Sequence, residues 1–537
     1  MSSYQLSGYT GLTLNQLQVL YSKYLVPTLK DKAKSTTIAS AVALLLGYLA
    51  FKKIQEPPHE IRHLPHISYF TMLRSILQGE PTSSLSKRLV IPIISCPENN
   101  GLYARINGLG WTVHVASPEA NKKMLMRTDI FPKSDPLPGT DGTLASRFLR
   151  GPNVLLLNGA SWKTQRKLMN PAFHQSIPVN MFGGLVQRLF SVMENETGPI
   201  NVTNLMMRWT LDVIGQAGFD FDFHATDEPE NEWVQVYNSI SKGMGKPLWF
   251  FFPVLDRKFL WLFPERRKSH KSLDRFLEML DGVIVKKRKA LKENKRNPSM
   301  KDNEKDLLTL MLEGSQTGGA ALTDRELQSN LCIFFFAGHD TTANALSFII
   351  YFFAKYPKIQ QRAREEAHKI LGDAPQDVIP TVEETKDMTY INMVIKETLR
   401  IKGPVTAIPA RRAAEDTELE GVFIPKGTLL TSDIYNMHHN PKIWNDPETF
   451  DPERFKAGGE ADMLASSGMP WMPFGGGSRL CIGMNFSLAE QRVMISMLLR
   501  KYTWRLPEDS IHKDELRTNN IGIMSAKILD IIFEKIY

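Results

Sequence analysis

Hydrophobic positions recur every three to four residues along most of the chain from about residue 160 onward, which is the period of an amphipathic helix. Strand-like runs are fewer: LVIPIIS and WTVHVA within residues 88–115, a patch at 417–433, and a short hairpin at 518–536. This pattern predicts a mainly α fold with a minor β part. The clearest predicted helices cover residues 232–246, 272–292, 325–356, 357–371 and 383–401.

An uncharged run, STTIASAVALLLGYLAF, lies between Lys34 and Lys52. As a helix its seventeen residues would be roughly 25 Å long, at the short end of a membrane span. The proline-rich stretch EPPHEIRHLP follows, and prolines stop a helix. A buried core helix is the alternative for this run. The predicted organisation is a lumenal or membrane-surface segment at 1–34, a transmembrane anchor at 35–54, a hinge at 55–66 and one large domain at 67–537.

Composition is that of an ordinary globular protein, with 42% hydrophobic and 23% charged residues in 537. The formal charge of +8 serves either solubility or attraction to anionic lipids or an acidic partner. No basic stripe with interleaved aromatics is present, so nucleic-acid binding is not expected. The three cysteines are far apart and form no CxxC pair, which argues against a disulfide framework and a zinc site.

Cys481 lies in the segment PFGGGSRLCIG, directly before the helical pattern MNFSLAEQRVMISMLLRKY. A thiolate that ligates a metal needs backbone N–H groups near its sulfur and a close backbone approach, which glycines allow. The start of a helix adds a positive dipole end beside the anion, and Arg479 adds a cation. A buried, inert cysteine after a flexible loop is the alternative.

Phe474, Gly477, Arg479, Cys481 and Gly483 match F-x-x-G-x-R-x-C-x-G, so this segment resembles the haem-binding signature of the cytochromes P450. The resemblance covers roughly residues 57–537, with the main motifs in the family's order. It implies the P450 fold, bound haem b, and Cys481 as the axial ligand of the haem iron. It also implies that Phe474, Arg479 and Gly483 contact the haem, with Arg479 at a propionate.

Glu397 and Arg400 lie three residues apart on a predicted helix and share one face. Taken alone, this spacing is most often an exposed salt bridge. It resembles the family's ExxR motif, however, and Arg454 lies in DPERF, which resembles the family's PERF element. The resemblance implies that these three residues form a buried charge network that supports the cysteine loop and has a structural role.

Asp340 and Thr341 interrupt the apolar run CIFFFAG within the helix at 325–356. Polar groups inside a buried helix cost energy unless they have partners, and Thr341 can bond back to the carbonyl four residues earlier. A helix kink or an N-cap is the alternative interpretation. The segment AGHDTT resembles the acid–alcohol motif of the P450 family, which implies that Asp340 and Thr341 deliver protons during the activation of dioxygen.

Trp162 and Arg166 form a W-x-x-x-R motif, which by the same resemblance places both side chains at haem propionates. Arg411 is implied as another propionate ligand, and the adjacent Arg412 is the alternative. Where the family often has L-x-P-P after ExxR, this chain has IKGP at 401–404. That departure concerns the turn into the strand expected to line the substrate pocket and leaves haem binding unaffected.

The resemblance implies a monooxygenase that takes O2 and electrons from an NADPH-cytochrome P450 reductase and hydroxylates a lipophilic small molecule. Steroids, fatty acids, terpenoids and xenobiotics are the expected substrate classes. The chain resembles eukaryotic microsomal members, fungal ones in particular, which implies a single-pass protein of the endoplasmic reticulum membrane with its catalytic domain in the cytosol. Charge counting does not decide the orientation, because lysines lie on both sides of the uncharged run.

The aromatic segment 244–263 predicts either a membrane-dipping lip that admits lipophilic molecules or ordinary core packing. Two rival functions keep the haem but change the activity. One is a haem-thiolate isomerase or dehydratase that acts without O2, which the intact Asp340–Thr341 pair disfavours. The other is a non-catalytic haem carrier or sensor. By family analogy the pocket is lined by Val405, Ala407, Ile408 and some of Phe334, Phe335 and Phe336.

Overall fold

A computed structural model describes residue 19 and residues 32–107, 110–135, 140–149, 151–174, 177–246, 248–249, 252–293, 306–314, 322–519 and 522–537. Helices dominate this part of the chain. The α-helices are Lys32–Gln55, Tyr69–Leu77, Thr82–Leu85, Ile91–Ile94, Pro118–Met126, Leu144–Leu149, Gly159–His174, Val179–Met193, Val202–Phe219, Glu232–Met244, Pro253–Lys258, Pro264–Lys292, Leu307–Gly314, Asp324–Lys355, Pro357–Leu371, Val382–Asp387, Thr389–Ile401, Ile434–His438, Glu460–Leu464 and Met484–Lys501. Short 3-10 turns include Pro452–Phe455 and Gly477–Arg479.

Two helices organise the molecule, and we call Asp324–Lys355 the central helix and Met484–Lys501 the cysteine helix. The central helix begins with a capping box, in which the Thr323 side chain accepts from the Glu326 N–H and the Glu326 side chain accepts from the Thr323 N–H. Its apolar residues on all faces account for its depth in the core, because a helix that is hydrophobic all round is buried on every side. The cysteine helix packs against it.

The strands form four small sheets. The largest is mixed, with strand order β1-β2-β3-β8-β5, where β1 is His66–Ile67, β2 is Leu102–Asn107, β3 is Gly110–Val115, β5 is Arg411–Arg412 and β8 is Leu429–Ser432. A three-stranded sheet pairs β12 (Asp530–Lys535) with β4 (Ile200–Asn201) and β9 (Tyr502–Arg505). Two hairpins complete the set: β6 (Thr417–Leu419) with β7 (Val422–Ile424), and β10 (Thr518–Asn519) with β11 (Ser525–Ala526).

The fold expectation of a mainly α protein with a minor β part is confirmed, and so are the predicted helices. Two bounds differ: the helix expected at 272–292 begins at Pro264, and the segment 383–401 is two helices separated at Met388. One strand prediction is wrong. LVIPIIS is helical, because Val90 and Ile94, four residues apart, are buried together at helical spacing.

The expected transmembrane anchor at 35–54 falls within the helix Lys32–Gln55. In the part of the chain that the structure describes, no helix is both long and apolar enough to cross a membrane, so the span is not confirmed. The helix nevertheless exposes apolar side chains where they are described, and Phe51 stacks on Phe70. The hinge and domain limits at 55–66 and 67–537 stay predictions.

Candidate functional site

The loop that carries Cys481 is shaped by its own glycines. The Cys481 N–H donates to the Phe474 carbonyl at 3.0 Å, and this bond closes the loop just before the cysteine helix begins. Gly475 and Gly477 adopt φ values of 73° and 63°, in the left-handed region that favours glycine. A Cβ at Gly477 would lie 2.6 Å from the Leu125 carbonyl oxygen, so no other residue fits there.

The Cys481 side chain is exposed, although protein atoms surround it deep in the molecule. A side chain can have both properties only if it opens onto an internal cleft. Burial raises the pKa of the thiol, and the Gly483 N–H together with the charges of Arg166 and Lys133 lower it. The loop therefore directs the sulfur into the cleft next to N–H and cationic groups, and a bound metal cation would complete its ionisation.

The middle of the central helix also opens onto a cleft. Ala337 is exposed and Thr341 is half-buried, although most of this helix is buried. The Thr342 hydroxyl lies 2.9 Å from that of Ser487, which ties the central helix to the cysteine helix six residues after Cys481. We infer that the exposed faces of Ala337 and Cys481 border the same cleft. The Cys481 thiol would then lie on one side of this cleft, and the acid–alcohol motif of Asp340 and Thr341 on the other.

Four cations converge at the edge of this cleft: Lys133, Arg166, Arg411 and Arg479. Burial lowers the pKa of each, and the other cations lower it further for Lys133, to about 7, and for Arg479, to about 10. Among the described residues, none of the four forms an ion pair with a carboxylate. Arg411 Nε and Arg479 Nε and Nη1 are buried without any hydrogen-bond partner there.

This cation cluster fits the two propionates of a haem. Buried donors without partners are rare in native structures, and like charges held together are unfavourable unless an anion joins them. A dianionic ligand would supply both the missing acceptors and the missing charge. With the thiol below, the residues present thus suit haem, whose iron and propionates need those two kinds of ligand.

Among the sequence-predicted propionate ligands, the Trp162 ring lies under the Arg479 guanidinium at 3.8 Å, so its face supports that arginine. Arg166 Nε donates to Asn170 at 2.8 Å and leaves the rest of its guanidinium for the cleft. The structure also separates two alternatives: Arg411 is buried in the cluster, whereas Arg412 is exposed and donates to the Gly427 carbonyl.

Lys133 and Asn158 are site residues that no sequence pattern indicated. The Lys133 Nζ donates to the Leu155 carbonyl at 2.6 Å, and the Asn158 side chain exchanges hydrogen bonds with the Lys133 backbone at 3.0 and 2.9 Å. Asn158 also accepts from Arg479 at 3.1 Å. Neither residue lies in a motif, and tertiary contacts bring them to the cluster: the bridge between Lys133 and Arg411 and the hydrogen bond from Arg411 to the Phe131 carbonyl.

The structure places Glu397, Arg400 and Arg454 together. Arg400 donates to both Glu397 oxygens at 2.7 and 2.8 Å, and both side chains are fully buried. Arg454 Nε is 3.5 Å from Glu397, which also accepts from the Asp451 N–H at 3.0 Å. Arg400 further donates to the carbonyls of His438 and Pro447. The network thus joins the helix Thr389–Ile401 to the chain leading toward the cysteine loop.

The acid and alcohol of the central helix differ in environment. Thr341 Oγ1 donates to the Ala337 carbonyl at 2.6 Å, which leaves its lone pairs facing the cleft. Asp340 is buried beside His339, and burial raises the pKa of the Asp340 carboxyl to about 7. A carboxyl with that pKa both holds and releases a proton near neutral pH.

The aromatic segment is on the surface. Phe252, Phe259, Trp261 and Leu262 are exposed, which excludes core packing for these four. Of the three phenylalanines before the oxygen motif, Phe334 and Phe335 are buried, while Phe336 is half-buried against Phe148. Phe336 is therefore the one of the three that is partly accessible. Residues 405, 407 and 408 are half-buried.

Comparison with known proteins gives one consistent result. The family profile described as Cytochrome P450 matches residues 108–530. Cytochrome P450 4A11 of Homo sapiens is 32% identical over 399 residues, covering 73% of this chain and 74% of that protein. Taurochenodeoxycholic 6 alpha-hydroxylase of Sus scrofa is 31% identical over 362 residues, covering 66% and 70%. The crystal structure of the cytochrome P450DA heme domain superposes with a TM-score of 0.71 at 21% identity, covering 88% of this chain and 98% of that one.

Proposed function

Because this chain belongs to the cytochrome P450 family and is a haem-thiolate monooxygenase acting on lipophilic molecules, we propose that Cys481 is the axial ligand of its haem b iron. Arg166, Arg411 and Arg479, with Lys133, would bind the propionates, and Trp162 would support Arg479. The observation that carries this assignment is the cluster of four cations, which has no carboxylate partner among the described residues, beside an inward-facing thiol. Bound haem supplies the activation of dioxygen and the insertion of one oxygen atom into a C–H bond.

The chain's own residues position and protect that chemistry. Cys481 would ligate the iron, and the loop keeps the Gly483 N–H close to its sulfur. Asp340 holds a proton at its carboxyl near neutral pH, and Thr341 carries a hydroxyl at the cleft whose lone pairs can accept a hydrogen bond while its own proton goes to the Ala337 carbonyl. Phe336 and the apolar residues at 405, 407 and 408 exclude water from the substrate side. The Glu397 network holds the chain that leads to the cysteine loop.

The test of this assignment is the difference spectrum of the reduced protein with carbon monoxide. We expect the strongly red-shifted Soret band of a thiolate-ligated haem. Cys481→Ala should abolish it, whereas Cys96→Ala, at a free cysteine outside the cleft, should keep it. A band that survives Cys481→Ala, or purified protein without haem, would overturn the assignment and favour a haem sensor or a protein without the cofactor.

For the substrate we propose a fatty acid or a steroid acid. The half-buried apolar residues of the cleft support this class, and so does a relative named for hydroxylating taurochenodeoxycholic acid. Titration of the ferric enzyme with dodecanoic acid and with taurochenodeoxycholic acid should displace bound water and shift the Soret band. NADPH-driven product formation with one of them, absent when O2 is removed, would separate the monooxygenase from an isomerase or dehydratase.

The proposed electron donor is a membrane-bound NADPH-cytochrome P450 reductase. The helix Pro118–Met126 packs against Gly477–Arg479 and exposes Lys122 and Lys123, and the helix Gly159–His174 exposes Lys163 and Lys167. These lysines form a basic surface behind the cysteine loop that suits an acidic flavoprotein. Reductase-supported turnover should fall as salt rises, and replacing Lys122 and Lys123 by glutamate should raise the KM for reductase. Turnover that does not change with salt concentration would contradict this docking surface.

We further propose association with the endoplasmic reticulum membrane. The helix Lys32–Gln55 exposes Leu44, Leu45, Leu46 and Leu49, and the segment around Trp261 is a second exposed apolar patch. Co-flotation with phospholipid vesicles should weaken when Trp261 and Leu262 are replaced by serine. Full recovery of the wild-type protein in the lipid-free fraction would refute membrane association.

A further inference from the structure

Asp340 and Tyr237 are two buried polar groups that lack partners where they meet. Asp340 Oδ1 on the central helix and Tyr237 Oη on the helix Glu232–Met244 are both buried, with no aligned hydrogen-bond partner in the described ranges. Yet each acts on the other: Tyr237 lowers the pKa of Asp340 against the larger effect of burial, and the Asp340 charge adds to burial in raising the pKa of Tyr237. Buried polar groups are almost always paired, so this juxtaposition requires an explanation.

The other neighbour of Asp340 is neutral. His339 Nε2 lies 3.5 Å from Asp340 Oδ1, and burial lowers the pKa of His339 to about 3. His339 Nδ1 lies 2.8 Å from the Thr210 hydroxyl, which also lies 2.9 Å from the Met206 carbonyl, so either group can be the donor in the histidine contact. A neutral imidazole has one N–H. In the tautomer that donates to Thr210, His339 Nε2 faces the carboxyl as an acceptor and cannot donate to ionised Asp340.

Tyr237 is the described side chain beside the carboxyl whose donor group does not depend on the histidine tautomer. From the helix Val202–Phe219 comes Thr210, which is committed to Met206 and His339. On the central helix the Asn344 amide is committed to the Asp340 backbone carbonyl at 2.6 Å. The phenol of Tyr237 remains, and burial keeps its pKa well above 10, so it always carries its proton.

We propose that Tyr237 is a positioning residue for proton delivery, whose hydroxyl donates to Asp340 and holds that carboxyl in the orientation from which it serves Thr341. This inference rests on the proposed monooxygenase function. The tyrosine ring is well placed for the role, since its centroid lies 5.2 Å from that of Phe335 and 5.1 Å from that of His339. These ring contacts hold the phenol against the central helix.

The test replaces the hydroxyl and keeps the ring. Tyr237→Phe is compared with Tyr502→Phe, which removes another buried hydroxyl without a described partner, in the sheet of β9 and β12. In the purified holoenzyme, infrared titration follows the carboxyl stretching band that disappears in Asp340→Asn. We expect that band to titrate at higher pH in Tyr237→Phe, because the donor to the ionised form is lost, and to stay unchanged in Tyr502→Phe.

Turnover with reductase, NADPH and dodecanoic acid gives the second measurement. Tyr237→Phe should move the alkaline limb of the kcat profile to higher pH and lower the product formed per NADPH several-fold, with dodecanoate affinity within two-fold of wild type. An unchanged band and an unchanged alkaline limb would overturn the role of Tyr237, whatever happens to stability. A wild-type enzyme that makes no product would instead refute the monooxygenase function, and the infrared titration would still decide the Tyr237 contact.

Discussion

Replacing Glu397 by alanine should cost the fold much of its stability. The substitution removes two charge-assisted hydrogen bonds to Arg400 and the acceptor of the Asp451 N–H, at a site where both charged side chains are 0% exposed. Breaking a buried ion pair costs about 3–5 kcal/mol, because the remaining cation is left without its counter-charge. The buried Asp451 N–H, left without an acceptor, adds about 1–3 kcal/mol to this destabilisation. The sum is about 4–8 kcal/mol, against a typical total stability of about 5–15 kcal/mol.

Glu453→Ala is the matched control. Glu453 also pairs with an arginine, Arg362, at 2.7 Å, but the two side chains are 37% and 56% exposed. An exposed pair of this kind contributes only about 0.2–1 kcal/mol. Urea unfolding, followed by circular dichroism and by the haem Soret band, should place the midpoint of Glu397→Ala far below that of Glu453→Ala, with haem lost first. Equal midpoints for the two variants would refute the claim that burial makes this network essential.

Three further outcomes follow from the site. Gly477→Ala should lower the free energy of unfolding in urea by about 2–4 kcal/mol, because the new Cβ is strained at positive φ and lies 2.6 Å from the Leu125 carbonyl oxygen. Gly372→Ala is the control, since Gly372 also has positive φ but has open space around it, and it should cost only about 1–2 kcal/mol. Lys133→Ala should speed haem transfer to apomyoglobin about 10- to 100-fold, whereas Lys133→Arg and the exposed Arg412→Ala should not. Burial raises the pKa of Asp340, so the folded state binds the carboxyl proton more tightly than the unfolded state does. The free energy of unfolding should therefore fall as pH rises between about pH 4 and 7, by up to about 1.4 kcal/mol per pH unit. In Asp340→Asn this pH dependence should be lost.

Local sequence was enough for several elements of the site. The cysteine loop is encoded within eleven consecutive residues, where glycines allow left-handed backbone and a helix starts directly after the thiol. Glu397 and Arg400 share a face because helical spacing alone places them together. The central helix was also predictable, since its long apolar run ends at charged or polar residues on both sides.

Other features needed the tertiary structure. LVIPIIS is apolar enough for a strand, and only packing at positions 90 and 94 selects the helix. The anchor predicted at 35–54 is helical, but the described chain contains no helix that meets the requirements of a membrane span. For the aromatic segment, periodicity could not separate core from surface, and the exposure of Trp261 and its neighbours decided it.

By itself, the sequence determined the helical class, the cysteine loop and the family, because these depend on short-range patterns in backbone conformation and side-chain spacing. The tertiary structure alone decided which cations surround the cleft, selecting Arg411 over Arg412 and adding Lys133 and Asn158. It likewise brought Tyr237 against Asp340 from a helix more than a hundred residues earlier in the chain. Contacts of this kind depend on how helices pack against one another, and no local pattern records them.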